Sequence, residues 1–161
     1  MDLMTFLPMW VTFFPFVMTI IIYYVEHHSE KMRNALAVAT SVVTFLSVLA
    51  MYPFVAERKV IEFTLFEILA NLGISFRLDI LSFSLAVLSS FVWMLVTVYS
   101  IDYMSHEHAC NRYYPVLMVT LGSCLGIFMS GDLFTLFVFF ELMSLISYVL
   151  IVHEETPVAL K

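Results

Sequence analysis

Apolar residues fill five long stretches of the chain, 3–25, 34–56, 80–101, 113–131 and 133–152. The first four hold no Asp, Glu, Lys or Arg, and the fifth is interrupted only by Glu141. None of the five alternates polar and apolar residues as a lipid-facing β-strand would. At about 1.5 Å rise per residue, each reaches across a hydrocarbon layer about 30 Å thick. Backbone groups in such a layer must bond within their own segment, so each run predicts a membrane-spanning helix. The fold class expected is an all-α polytopic membrane protein of five spans, forming one membrane domain over residues 1–161.

The joints between the runs carry their own chemistry. Asp79 and Asp132 stand where a side-chain oxygen caps the helix that follows. Ser130-Gly131-Asp132 predicts a tight turn, with Gly131 as its permissive backbone position. The fourth and fifth spans should therefore form a close antiparallel hairpin. Pro8, Pro15 and Pro53 lie in or near the ends of the first two spans, where they favour kinks. Residues 57–78 differ from the rest. They contain Glu57, Arg58, Lys59, Glu62, Glu67 and Arg77, and Ile74, Phe76 and Leu78 alternate with Ser75 and Arg77. This stretch predicts a folded extramembrane excursion with a short strand.

Composition agrees with the pattern. Of 161 residues, 62% are hydrophobic and 12% charged, against about a quarter charged in soluble domains. The net charge of −6 and the lack of basic–aromatic interleaving argue against a nucleic-acid partner. Cys110 and Cys124 are too few for a disulfide framework. The acidic start and the long first run argue for a retained span and not a cleaved signal. Seven tyrosines, among them Tyr23, Tyr99 and Tyr113, fall near span ends as an interfacial belt does. Lys31, Arg33, Arg112 and Lys161 fall on one side, and Arg58, Lys59 and Arg77 on the other. That small excess puts the N-terminus outside and the C-terminus in the cytoplasm.

Glu141 carries most of the functional signal. A charge near the centre of a span costs about 2.5–3.5 kcal/mol on insertion scales, so such residues usually serve a site. On a helix it shares a face with Phe137, Val138, Ser144, Leu145 and Tyr148. Glu141, Ser144 and Tyr148 form a polar stripe suited to a neighbouring helix or a hydrated path. Burial raises a carboxylate's proton affinity and a nearby cation lowers it, which is the balance a proton relay uses. His153 lies about three turns further on, too far for a direct ion pair but placed to line the same path. No Lys, Arg or His lies within any of the five runs. A counter-charge must come from elsewhere. The bland alternative is a hydrogen-bonded Glu141 that only holds helices together.

Other residues suggest less. Gly122, Gly126 and Ser130, four apart, predict a helix-packing seam, with Thr120, Ser123 and Cys124 adding polar atoms to the same span. His106, His108 and Cys110, with His27 and His28, have poor spacing for a closed metal site, and no metal is expected. No phosphate-binding loop, nucleophile–base set or redox ligand set appears, so no cofactor is expected. A stand-alone enzyme or quinone site is therefore disfavoured. Thr156-Pro157 has the pattern of a helix start, with residues 158–161 as its first turn.

Residues 76–161 resemble the antiporter-like subunits shared by respiratory complex I, membrane-bound hydrogenases and Mrp-type sodium/proton antiporters. The matching segments are FRLDILSFS, YSIDYM, NRYYPVLMVT and, most specific, SGDLFTLFVFFELMSLISYVLIVHEETPVAL. Their character is closest to the Mrp and hydrogenase branch. The resemblance implies a larger design of about fourteen helices, three leading ones followed by two inverted five-helix repeats. In that design these residues supply the leading three helices and the first two of the first repeat. The resemblance also implies that Glu141 pairs with a lysine on a later helix and modulates its proton affinity. It places the N-terminus outside. A split subunit follows as an expectation, completed by a neighbouring antiporter-like chain that carries the lysine. The expected function is a part-subunit of an ion-translocating membrane complex, with protons or sodium as the ion, either redox-driven or an Mrp-type exchanger. The alternative expectation is a structural subunit that packs and seals such a complex.

Overall fold

Pro53 ends the second apolar run as one continuous helix. In the computed structural model, which describes residues 6–26, 29–56, 60–69, 72–104 and 113–151, that run forms α2 (Glu30–Leu49) and the single-turn α3 (Tyr52–Ala56). Proline offers no N–H and crowds the carbonyl four residues back, here that of Leu49. The Met51 N–H instead donates to Val48 O at 3.0 Å. α2 also starts earlier than the apolar run, at Glu30, an acidic first-turn residue that complements the helix dipole.

The other long helices are α1 (Leu7–Glu26), α4 (Ile80–Met104), α5 (Tyr113–Phe128) and α6 (Leu133–Ile151). Leu7–Val25, Glu30–Ala56 and Ile80–Met104 are long and apolar enough to cross a membrane, and α5 and α6 are shorter apolar helices. Among the described residues, the fold is a polytopic membrane bundle of five long helices.

Its inside-out polarity fits lipid. α4 turns Ser82, Ala86, Ser90, Thr97 and Ser100 inward, while Leu88, Leu95 and Tyr99 are 61%, 51% and 72% exposed. Small residues allow close helix approach where lipid supplies no hydrophobic drive. Their hydroxyls remain satisfied by donating one turn back, Ser90 to Ala86 O at 2.7 Å and Thr97 to Trp93 O at 2.7 Å.

The excursion between α3 and α4 is an antiparallel hairpin of β1 (Ile61–Leu69) and β2 (Leu72–Leu78), pairing Ile61 with Leu78 and Phe63 with Phe76. It is less peripheral than its charges suggest. Phe76 and Leu78 are buried in a core cluster with Val11, Leu121, Met129 and Phe139. A second cluster, Ile22, Ala37, Tyr114, Leu117 and Met118, fills the other end of the bundle.

Candidate functional site

α6 starts at a built cap. Asp132 Oδ1 accepts the Thr135 N–H at 2.6 Å, which satisfies one orphan donor of the first turn. Asp79 does the same for α4, accepting the Ser82 N–H at 2.8 Å. That bond lowers the Asp79 pKa. For Asp132, burial acts to raise the pKa, and hydrogen bonds from Ser75 and Thr135 outweigh it and lower the value.

From this start the helical period sets the faces of α6. Thr135 and Phe139, four apart, are buried at 0% and 3% exposure. Glu141 lies roughly 120° around the helix from Thr135. It is exposed, with Phe137, Ser144, Leu145 and Tyr148 on the same outer side. The stripe thus stands on the outer surface of the described bundle, flanked by apolar side chains. α5, the neighbour across the turn, packs on the opposite side: a Cβ added at Gly126 would run into the Phe139 ring. The helix next to Glu141 in sequence is therefore not the one that covers it.

Among the described residues no cation forms an ion pair with Glu141. Arg77 lies on the hairpin, 3.6 Å from Glu62 and 3.8 Å from Asp79. Arg33 sits in the first turn of α2, only 4% exposed, with its guanidinium 5.0 Å from the centre of the Tyr114 ring. The apolar pattern alone leaves Arg33 in a loop outside the spans. The start of α2 at Glu30 brings it into the bundle end instead.

The small-residue positions divide between neighbours. A Cβ at Gly122 would lie 2.7 Å from Phe16 Cε2 and 3.0 Å from Thr12 O, so this position admits α1. Gly126 admits α6. Ser130 belongs to neither seam; it lies past the end of α5, bridged to Phe76 of β2, with its hydroxyl donating to Ile127 O at 2.8 Å. Thr120 and Ser123 donate back to Val116 O and Val119 O within α5, and Cys124 is a buried free thiol.

A feature invisible in the sequence joins the hairpin to the α5–α6 turn. The Arg77 N–H donates to Met129 O and the Gly131 N–H to Ser75 O, each at 2.8 Å. The Ser75 N–H donates to Thr135 Oγ1 at 2.9 Å, and the Ser75 hydroxyl donates to Asp132 Oδ2. Gly131 is needed for closeness: an added Cβ would lie 2.7 Å from Ser75 Oγ and 3.2 Å from Ser75 O. Its φ lies outside the left-handed range, so the permissive backbone expected from the sequence is not what the position uses. His27, His28, His106, His108, Cys110, His153 and residues 156–161 lie outside the described residues.

The family model for the N-terminal part of chain 5 of NADH–ubiquinone oxidoreductase (complex I) matches residues 68–114. The chain is 30% identical over 139 residues to a probable K(+)/H(+) antiporter subunit of Rhizobium meliloti, covering 85% of this chain and 14% of that protein. It is 30% identical over 149 residues to a Na(+)/H(+) antiporter subunit of Alkalihalophilus pseudofirmus, covering 91% and 30% respectively. Among solved structures, the Mrp complex from Dietzia sp. DQ12-45-1b matches with a TM-score of 0.77 at 22% identity, over 94% of this chain and 28% of that one. The archaeal membrane-bound sulfane sulfur reductase matches with a TM-score of 0.75 at 16% identity, over 88% and 22%. At these identities the structural likeness concerns the fold. The chain spans under a third of the length of these relatives.

Proposed function

Because this chain belongs to the antiporter-like subunit family while spanning under a third of its relatives' length, we propose that it forms one part of a membrane-bound ion-translocating complex. Within it, Glu141 is the carboxylate half of an ion-pair site. The observation that carries this reading is the outward-facing Glu141 in an apolar helix face. Left against lipid, such a charge costs about 2.5–3.5 kcal/mol or more. Covered by protein with a cation opposite, it becomes a switchable pair. The cation is a lysine from outside residues 1–161, with a neighbouring antiporter-like membrane chain as its expected carrier.

Translocation then proceeds by loosening and remaking the pair. Glu141 holds the lysine in its charged state; proton arrival at Glu141 weakens the pair and releases the lysine's proton onward. Ser144 and Tyr148 on the same face, and His153 beyond them, line the approach with bound water. A proton is the ion this chemistry suits best, with sodium as the alternative. The chain lies in the cell membrane with its N-terminus outside and its C-terminus in the cytoplasm.

The test is Glu141→Gln in the complete complex, assayed for cation-driven proton movement in everted membrane vesicles, with assembly checked by co-purification. Loss of transport with intact assembly is expected. Unchanged transport would favour the sealing-subunit reading instead.

A further inference from the structure

The bonds between hairpin and turn have a consequence for α6 that rests on the reading of Glu141 above. Thr135 is fixed from three directions. Its N–H donates to Asp132 Oδ1 at 2.6 Å, its oxygen accepts the Ser75 N–H at 2.9 Å, and its hydroxyl donates to Gly73 O at 3.3 Å. It is fully buried. Asp132 is the link between the two elements, because one carboxylate oxygen caps α6 while the other accepts the Ser75 hydroxyl. A helix held this way at its first turn has its rotation about its own axis set there. Glu141 lies nine residues along, about 14 Å by helical rise. A turn of α6 by about 30° would carry a group about 5–6 Å from the axis through about 3 Å, enough to make or break an ion pair.

We propose that Asp132, acting with Ser75 of the hairpin, is a positioning residue for Glu141: the extramembrane hairpin sets the rotation of α6 and so the direction in which the membrane carboxylate faces. Glu141 itself touches neither residue. The Phe139 ring, packed over Gly126 and 6.0 Å from the Phe76 ring, makes a second contact between α6 and the same hairpin.

The experiment follows Glu141 directly. The complete complex in native membranes is treated with dicyclohexylcarbodiimide, which modifies membrane carboxyl groups, and labelling of Glu141 is timed by mass spectrometry. Ser75→Ala removes the hydroxyl and keeps every backbone bond. Asp132→Ala removes cap and link together. Asp132→Asn keeps an oxygen for the Thr135 N–H and an amide group for Ser75. Ser75→Ala and Asp132→Ala should change the Glu141 labelling rate by about fivefold, the population shift that losing one hydrogen bond of about 1 kcal/mol produces. Asp132→Asn should restore the wild-type rate. If Ser75→Ala labels at the wild-type rate in assembled complex, the positioning role is wrong. The same holds if Asp132→Asn behaves as Asp132→Ala. Should Asp132→Ala fail to assemble, Ser75→Ala decides. Glu141→Gln transport, measured alongside, separates the two claims. Lost transport with unmoved labelling overturns only the positioning role, and retained transport with altered labelling overturns only the ion-path reading.

Discussion

Gly126→Ala tests the packing that turns Glu141 outward. The new methyl would stand 2.5 Å from Phe139 Cγ and 2.7 Å from Cε1, well inside van der Waals contact. The ring has little room to yield, since its centroid lies 6.0 Å from that of Phe76 and 6.3 Å from that of Phe13. Alanine gains about 1 kcal/mol over glycine in helix propensity. Overpacking a filled site costs about 1–3 kcal/mol. Contacts this short put the cost toward the upper end of that range, so the steric term wins, for a net loss of up to about 2 kcal/mol. The measurement is unfolding of the solubilised complex for Gly126→Ala, Phe139→Leu and the double variant. Phe139→Leu removes the ring the methyl strikes, so the double variant should be more stable than the sum of the singles by about 1 kcal/mol. A Gly126→Ala variant as stable as wild type would refute the packing argument. Strict additivity would show that the methyl strikes something other than Phe139.

Two further outcomes follow from the ends of the bundle. Arg33→Ala should destabilise the complex by about 1–2 kcal/mol through its lost contact with the Tyr114 face, and Tyr114→Leu in the Arg33→Ala background should add less than it does alone, read as a double-mutant cycle. The Asp79 and Asp132 carboxyls are both held below their ordinary value of 3.8. The stability they contribute is therefore complete above that value and is lost as pH falls through the lower folded values. Protease protection of the hairpin should drop in acid below pH 3.8, and Asp132→Asn should flatten that dependence.

The spans were legible because lipid demands long apolar runs, and the capping roles of Asp79 and Asp132 because caps use few residue types. Helical arithmetic alone placed Glu141 with Ser144 and Tyr148, and those three do share the exposed side of α6. Three things were not legible. Arg33 reads as a loop charge until α2 is seen to begin at Glu30, and its burial depends on Tyr114, far away in sequence. The end of α5 lies three residues short of the apolar run, because the Met129 carbonyl and the Gly131 N–H bond to β2 and not to further helix. The hairpin's place in the core depends on Phe76 meeting Phe139 and Phe13, contacts between segments that no local pattern encodes.

We propose Glu141 as half of a site whose other half is a cation from outside these 161 residues. The deciding measurement is an electron cryo-microscopy structure of the assembled complex in lipid. A lysine ammonium is expected within about 4 Å of the Glu141 carboxylate, salt-bridge reach, on a helix packed over Phe137, Ser144 and Tyr148. Acyl chains against that face, with no cation near Glu141, would contradict it.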